Sequence, residues 1–526
     1  MIGRFVTYLC VPIFVTELAK ARREIAAATE AGAQMLELRV DALEDEEILG
    51  ILLRDRVLPA IVTCRPEWEG GQCELDDAQR VAILMQAARQ GAAYIDVELK
   101  AVQTDQNIWT QVSQERSDCR LILSSHDFAG RPERLYNIVH DLNELPADVT
   151  KIVWTARTVR DNLEAFELLS QRPRPAIALC MGEAGMASRI LAKKFGAFLT
   201  FTSLDEQSAT ASGQVSIADM KNLYRWDAIG PETAVYGVVA HPVRHSMSPA
   251  IHNAAFTAVG HDGIYLPLLV EPSYESFKAF MESFIALEPL HLRGLSVTIP
   301  HKENALRYLR EKGAEIEELA VGIGAVNTIT IDRSGGDVKL AGKNTDYAAI
   351  LDSIASVMGI VREQLAGLRV AVVGAGGTGR TAVAALAHWG AEVLICNRTH
   401  DRAQKLAEEF NGRRGTVAAL AIEQVRDANC RVIINTTSVG MYPNIGQTPF
   451  EGVPAPWRSR TLVFDTIYNP PKTRLLSEAE KDGAQTIGGI EMFVRQAAAQ
   501  FETWTQKPAP LEVMRKILLH RLNESC

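Results

Sequence analysis

The sequence predicts an α/β protein in two parts, a barrel followed by a two-lobed unit, and three observations predict it. Eight apolar, β-branched runs fall within the first 225 residues, near 6–13, 34–40, 58–65, 93–99, 120–128, 149–156, 176–181 and 198–203. Between most of them lie stretches such as "ELAKARREIAAATEAG" and "DDAQRVAILMQAARQG", which carry apolar residues at helical spacing and end in glycine. Far downstream, "VVGAGGTGR" at residues 372–380 reads as strand, glycine loop and helix.

Eight βα units in a little over 200 residues suggest a (β/α)8 TIM barrel near the lower end of its usual size. An open doubly wound sheet shares the same periodicity. The first run includes Pro12 and has one basic residue before it, Arg4, so it reads as a first strand rather than a signal peptide. The pattern breaks at 227–233, around Gly230 and Pro231, where a short linker is expected. The expected division is a barrel at 1–227, a substrate lobe at 233–345 completed by 490–526, and a Rossmann nucleotide lobe at 346–489.

Composition narrows the classes. The 526 residues are 47% hydrophobic and 23% charged, as in a globular protein, and the net charge of -9 argues against a nucleic-acid surface. No apolar run approaches the ~20 residues that cross a membrane. The eight cysteines form no CxxC pair and have no metal-ligand spacing, which suits reduced thiols of a cytoplasmic enzyme. His241 and His245 have the i,i+4 spacing of a metal pair, but Pro242 lies between them, and no metal is expected. Oligomeric state is left open.

In a barrel, catalytic groups belong at the C-terminal strand ends. Glu37 and Arg39 share one face of the second run, and Arg65 closes the third, with Glu69 just beyond. His126 ends the fifth, Lys151 interrupts the sixth, Arg189 follows the seventh and Gln214 the eighth. A lysine within an apolar strand is desolvated, which frees its amine as a nucleophile toward a carbonyl. His126 is then the candidate proton shuttle, Glu69 its orienting partner, and the arginines candidate carboxylate ligands. The bland readings are a rim lysine and a satisfied partial-core histidine; the joint placement at strand ends favours a site.

"ELRVD", "R-x3-EGG", "SSHDF", the lysine of "TKI", "SRILAKKFGAFLTF" and "GQVSIADM" together resemble type I 3-dehydroquinate dehydratase over about residues 1–225. The resemblance implies that Lys151 forms a Schiff base with the substrate ketone. It implies that His126, paired with Glu69, removes the adjacent C2 proton and returns a proton to the departing hydroxyl. Glu37, Arg39, Arg65, Arg189, Thr210 and Gln214 match substrate-holding positions. This chain has Thr-Ala-Ser-Gly-Gln where the family usually has Ser-Ala-Pro-Gly-Gln, so Ser212 replaces a stiffening proline.

In the second part, Gly374, Gly376 and Gly379 fit G-x-G-x-x-G, with Ala375, Gly377 and Thr378 completing a pyrophosphate loop at a helix start. The next strand ends in Asn397-Arg398-Thr399, with Arg402 beyond, where an NAD site places an acid; an arginine there suits the 2′-phosphate of NADP. Ser246 and Ser248 precede an expected helix start at Pro249 and suit a carboxylate. Thr298, Lys302, Asn327 and Asp346 add a cleft in which a Lys–Asp pair delivers a proton while a nicotinamide supplies hydride.

The run "YGVVAHPVRHSMSPAIHN", "VTIPHK", "GAVNT", "NTD", "GAGGTG", "NRT", "NTTSVGM", "YNPPKTRLL" and "GGIEMFVRQAA" resembles shikimate dehydrogenase from about residue 233 to 520. It implies Lys302 and Asp346 as the catalytic pair. Ser246, Ser248, Thr298, Asn327, Tyr468 and Gln496 would hold substrate, and Gly489 and Thr466 would flank the nicotinamide. The combined expectation is a bifunctional shikimate-pathway enzyme whose barrel makes 3-dehydroshikimate and whose second part reduces it with NADPH. The alternatives are a quinate or quinate/shikimate dehydrogenase in the second part, or one half retained as a non-catalytic scaffold.

Overall fold

The structure, a computed structural model, describes residues 6–116, 118–205, 212–244, 246–412 and 414–524. Two compact units result: Met1–His245 with Asp262–Leu292, and Ser246–His261 with Arg293–Cys526. Among the described residues no helix is long and apolar enough to cross a membrane.

Unit one holds eight parallel strands: β1 (Tyr8–Phe14), β2 (Met35–Arg39), β3 (Ala60–Thr63), β4 (Tyr94–Glu98), β5 (Arg120–Asp127), β6 (Val149–Thr155), β7 (Ala176–Met181) and β8 (Leu199–Phe201). Their order is β7-β6-β5-β4-β3-β2-β1-β8, and the Phe198 N–H donates to Ala176 O at 2.8 Å to bring the ends together. The expected eight strands and their barrel order are therefore present.

Period-two alternation sets the interior in layers. Met35, Ile61, Tyr94, Ile122 and Val149, with Cys10, Ile177 and Phe198, form an apolar floor. Two residues further along each strand the inward position turns polar: Glu37, Thr63, Asp96, Ser124 and Lys151, all buried. A third step brings Arg39, Arg65, Glu98 and His126 toward the C-terminal mouth. The barrel is thus closed below by packing and chemically equipped above it.

The expected linker is not loose. Trp226, in a short 3-10 turn, is 2% exposed, and so is Thr233. The buried Lys194 ammonium donates to Pro231 O at 2.5 Å and Thr233 O at 2.9 Å, fastening the connector to the barrel wall. Beyond it, β9 (Ala234–Ala240) and β10 (Gly263–Leu269) pair in parallel.

In unit two, β11 (Leu292–Val297), β12 (Glu315–Ile316), β13 (Thr328–Gly335) and β14 (Asp337–Lys343) lie in the order β11-β13-β14-β12, with β13 antiparallel to both neighbours. The glycine loop belongs to a second, all-parallel sheet of β15 (Arg369–Val373), β16 (Glu392–Cys396), β17 (Thr416–Ala419), β18 (Val432–Asn435), β19 (Leu462–Asp465) and β20 (Gln485–Ile487). Its order, β17-β16-β15-β18-β19-β20, reverses direction beside β15, the crevice where doubly wound folds bind nucleotides. Val370 and Val372 enter one apolar cluster and Ala371 and Val373 another, so β15 is buried on both faces, as a central parallel strand requires.

Candidate active sites

The barrel mouth holds an open pocket lined by Glu37, Arg39, Arg65, Glu69, His126, Lys151, Arg189 and Gln214, the strand-end residues named from sequence. Thr210 lies outside the described residues, as does His245. Ser212 is described: its carbonyl accepts the Gly182 N–H at 2.9 Å, which ties the end of the last loop to the residue after β7.

Lys151 does not sit among apolar side chains alone. Its ammonium is 2.9 Å from Asp96 Oδ2 and 3.5 Å from Glu37 Oε1, with the Phe201 ring 4.6 Å away. Asp96 is fully buried, is ion-paired with Arg65 Nη2 at 2.9 Å and accepts from Ser124 Oγ at 2.6 Å. Those two cations hold its carboxyl well below the usual range despite burial, which alone would raise it. Glu37 accepts from Thr63 Oγ1 at 2.9 Å.

Arg65 is saturated inside the protein. Besides Asp96 it reaches Glu98 at 2.6 Å and Ser124 at 2.8 Å, and Glu98 is shared with the buried Arg80 at 2.8 Å. Arg39 pairs with Asp41 and stacks over Phe14 at 4.9 Å. Arg189 differs from both. It is 2% exposed, its Nε has no hydrogen-bond partner, and no carboxylate stands against the guanidinium among the described residues. Burial pulls it down to about 10, so an incoming carboxylate would relieve an uncompensated cation.

Glu69 Oε1 accepts the His126 backbone N–H at 2.9 Å and faces His126 Nδ1 at 2.8 Å. Burial pushes Glu69 up to about 8 against the opposing effect of Arg65. Burial, then Arg65 and Lys151, push His126 well below its ordinary value, so its ring is neutral. With Glu69 ionised, Nδ1–H donates to it and Nε2 is left as a base; with Glu69 protonated, the hydrogen bond can reverse and the wrong tautomer follows.

Sequence reasoning missed Asp96, Glu98, Ser124, Arg80 and Asp41. The available signal was "YIDVE", where two acids at period two interrupt an apolar strand.

In unit two, Lys302 opens the helix Lys302–Glu311 and Asp346 lies in the first turn of the helix Thr345–Met358; their side chains meet at 2.5 Å. They are 27% and 13% exposed, open enough to meet a ligand. Asn344 caps the second helix by accepting the Asp346 N–H at 3.0 Å. Asn327 is 2% exposed: its Oδ1 accepts the Thr345 N–H at 2.8 Å, and one amide hydrogen goes to Thr345 Oγ1 at 3.0 Å. Thr298 stands just before Lys302, its carbonyl accepting the His301 N–H at 2.8 Å. Ser246 Oγ accepts the Ser248 N–H at 3.3 Å, and Ser248 opens the helix Ser248–Ala258 with Pro249 in its first turn, as expected. Tyr468 packs on Phe493 at 4.9 Å, and Gln496 donates to Phe493 O at 3.0 Å. Gly489 N–H donates to Ile467 O at 3.1 Å, and Thr466 Oγ1 donates to Asn435 O at 3.0 Å.

The glycine loop fits a dinucleotide. Gly374 has φ of 111°, and a Cβ on Gly379 would come within 2.1 Å of Gly374 O, so neither position takes a side chain. Side chains at Gly376 or Gly377 would meet nothing within 4 Å, which leaves open space at the start of the helix Gly377–His388, with Thr378 in its first turn. Asn397 Oδ1 accepts the Ala375 N–H at 3.2 Å and its amide donates to Thr399 O at 2.8 Å, pinning the loop to the end of β16. Arg398 and Arg402 are exposed, and neither meets a carboxylate among the described residues.

Fold and sites define a two-centre enzyme: a barrel lyase with an amine in its interior, joined to a nucleotide-dependent dehydrogenase. Family models match in the same sense: type I 3-dehydroquinase over 9–231, shikimate dehydrogenase substrate binding domain over 238–329, shikimate/quinate 5-dehydrogenase over 357–473, and shikimate 5′-dehydrogenase C-terminal domain over 489–519. A bifunctional 3-dehydroquinate dehydratase/shikimate dehydrogenase of Arabidopsis thaliana, designated chloroplastic, is 39% identical over 524 residues, covering 97% of this chain and 84% of the relative. A shikimate dehydrogenase (NADP+) of Methanopyrus kandleri is 40% identical over 308 residues, 56% of this chain and 98% of its own. Among solved structures, the dehydroquinate dehydratase and shikimate dehydrogenase of S. pombe is 25% identical with a TM-score of 0.44, covering 98% of each chain. The chain belongs to the bifunctional 3-dehydroquinate dehydratase/shikimate dehydrogenase family.

Proposed function

We propose that the chain performs two consecutive reactions: dehydration of 3-dehydroquinate to 3-dehydroshikimate in the barrel, and NADPH-dependent reduction of that product to shikimate in the second unit. The observation that carries the first is the gathering of Lys151, the Glu69-oriented His126 and the uncompensated Arg189 in one pocket. Arg189 takes the substrate carboxylate. Lys151 passes one proton to Glu37 and attacks the ketone carbon, and the ketone oxygen leaves as water with that proton and a second from the amine, so Glu37 is ionised again. Asp96 and Glu37 then stand beside the iminium as its counter-charges. His126 Nε2 takes the C2 proton, with Glu69 on the far nitrogen, and returns it to the hydroxyl that leaves as water. Hydrolysis of the imine frees Lys151. Glu37, Arg39, Arg65 and Gln214 shape and charge the remaining wall.

In the second unit, Arg398, Thr399 and Arg402 suit the 2′-phosphate and the helix start at Gly377 the pyrophosphate, so the residues fit NADP; bound there, it supplies the hydride. Lys302 holds the proton destined for the substrate oxygen, and Asp346 keeps that ammonium in place. Ser246 and Ser248 receive the carboxylate, and Thr298, Tyr468, Gln496 and the second amide hydrogen of Asn327 receive hydroxyls.

Borohydride added with dehydroquinate should attach the reduced adduct to the tryptic peptide of Lys151; an unmodified peptide would falsify the Schiff-base assignment. Supplying dehydroquinate and NADPH to the intact chain should yield shikimate, with NADPH preferred over NADH. We further place the enzyme in the cytoplasm, supported by seven described cysteines that are all free and buried. Immunoblots of cell fractions decide between this and an organelle.

A further inference from the structure

We propose that Gln500 is a positioning residue for the reduction, holding Lys302 and Asp346 in register without touching either. The inference rests on the reading of those two as the reacting pair. Gln500 lies on the helix Gly489–Thr505, one turn beyond Gln496, and is 2% exposed. Its Oε1 accepts Ser296 Oγ at 2.7 Å, and its Nε2 donates to Asn327 O and Thr328 Oγ1, both at 3.2 Å. It thus joins β11, which runs on to Thr298 and Lys302, to the start of β13.

Asn327 is where the two catalytic helices are tied together. Its side chain holds the Thr345 N–H and hydroxyl at the start of the Asp346 helix. Its carbonyl accepts the Val297 N–H at 2.8 Å, and its own N–H donates to Lys343 O at 3.1 Å. The preceding residue, Val326, donates to Lys302 O at 3.0 Å. Gln500 adds a donor to the same Asn327 carbonyl, so the backbone step that fixes both Lys302 and Asp346 is held by an amide touching neither. An apolar replacement takes the amide away from the Ser296 and Thr328 hydroxyls and from the Asn327 carbonyl and lets that step shift. Misplacement of reacting groups by an ångström is costly, on the order of a hundredfold in rate.

The test uses the full chain with Gln500→Met and Gln500→Glu, amounts normalised by dehydratase turnover. Positioning predicts that Gln500→Met lowers kcat for 3-dehydroshikimate reduction by about tenfold or more, with KM and NADP affinity little changed. Gln500→Glu, whose titratable neighbour is the fully buried His252, held neutral by its burial, regains a donor only when protonated and should recover part of that loss on the acid side of its pH profile. Parental kcat in both variants, whatever happens to their melting temperatures, would reduce Gln500 to a packing role and overturn the proposal. Should Gln500→Met fail to fold, the pH profile of Gln500→Glu decides alone: a profile parallel to the parent's overturns the proposal. Lys302→Ala separates the two levels. If it retains reductase activity, the reading of the pair is at fault; if it is inactive while both Gln500 variants run at parental kcat, only the positioning role falls.

Discussion

The two centres arrange proton chemistry in opposite surroundings. In the barrel, Lys151 and Arg65 share Asp96, Arg65 and Arg80 share Glu98, and all five are buried. The charges are mutually compensated before substrate arrives, and among the described residues Arg189 is the buried arginine of the cavity with no carboxylate against it. In the second unit the centre rests on one partly exposed ion pair, Lys302 with Asp346, and the glycine loop keeps clear faces at Gly376 and Gly377. A centre that makes its own covalent intermediate carries its counter-charges with it. A centre that borrows a cofactor keeps a simple pair and leaves room.

The comparison breaks first at Lys151. Lys151→Ala should lower dehydratase turnover by about 10⁴-fold or more while leaving NADPH oxidation with 3-dehydroshikimate unchanged. Loss of both activities in a folded chain would mean the centres are not independent. Next, Asp96→Asn keeps the shape but strips a carboxylate from two buried cations. It should cost about 3–5 kcal/mol in stability and lower dehydratase turnover further than the melting temperature alone explains, measured by denaturant titration and steady-state rates. A neutral outcome would show that Glu37 and Glu98 suffice.

A smaller, pH-dependent effect belongs to Glu69. Its carboxyl goes from an ordinary value of 4.5 to about 8 on folding, chiefly through burial. The folded state therefore favours the protonated form. That contribution is full below about 4.5 and is lost as pH rises through about 8. Glu69→Gln does not titrate, so its melting temperature relative to the parent should climb from pH 5 to pH 8.5 even as its dehydratase activity falls; a constant difference would contradict the burial argument. The smallest expected effect is at the open centre. Arg398→Ala should raise KM for NADPH by about tenfold, leave KM for NADH alone and leave the dehydratase untouched, since one exposed charge contributes only about 1.4 kcal/mol.

How much of this was legible depended on period. The eight strands and the inward positions of Glu37, Arg39, His126 and Lys151 follow from alternation, because side chains two apart share a face. The same alternation in β4 carried Asp96 and Glu98, but nothing local says that an acid will meet a lysine 55 residues away. Desolvation by an apolar strand was therefore half of the story of Lys151. In the second unit the glycine loop announced itself, since Gly374 and Gly379 have backbone reasons to be glycine. The tie from Gln500 to Asn327 joins residues 173 apart and left no trace in spacing.

The clasp on the connector bears on how this polypeptide can be divided for expression. Lys194, pulled down to about 8 by burial, finds its acceptors in the carbonyls of Pro231 and Thr233, beyond the point where composition suggests a cut. A fragment ending at 227 would start with a buried ammonium facing severed ground. One extended past Thr233 keeps both carbonyls but still cuts Lys194 from His291 and Arg225 from Gly263 O, which makes the terminus chosen, rather than the catalytic machinery, the first determinant of whether an isolated barrel stays in solution.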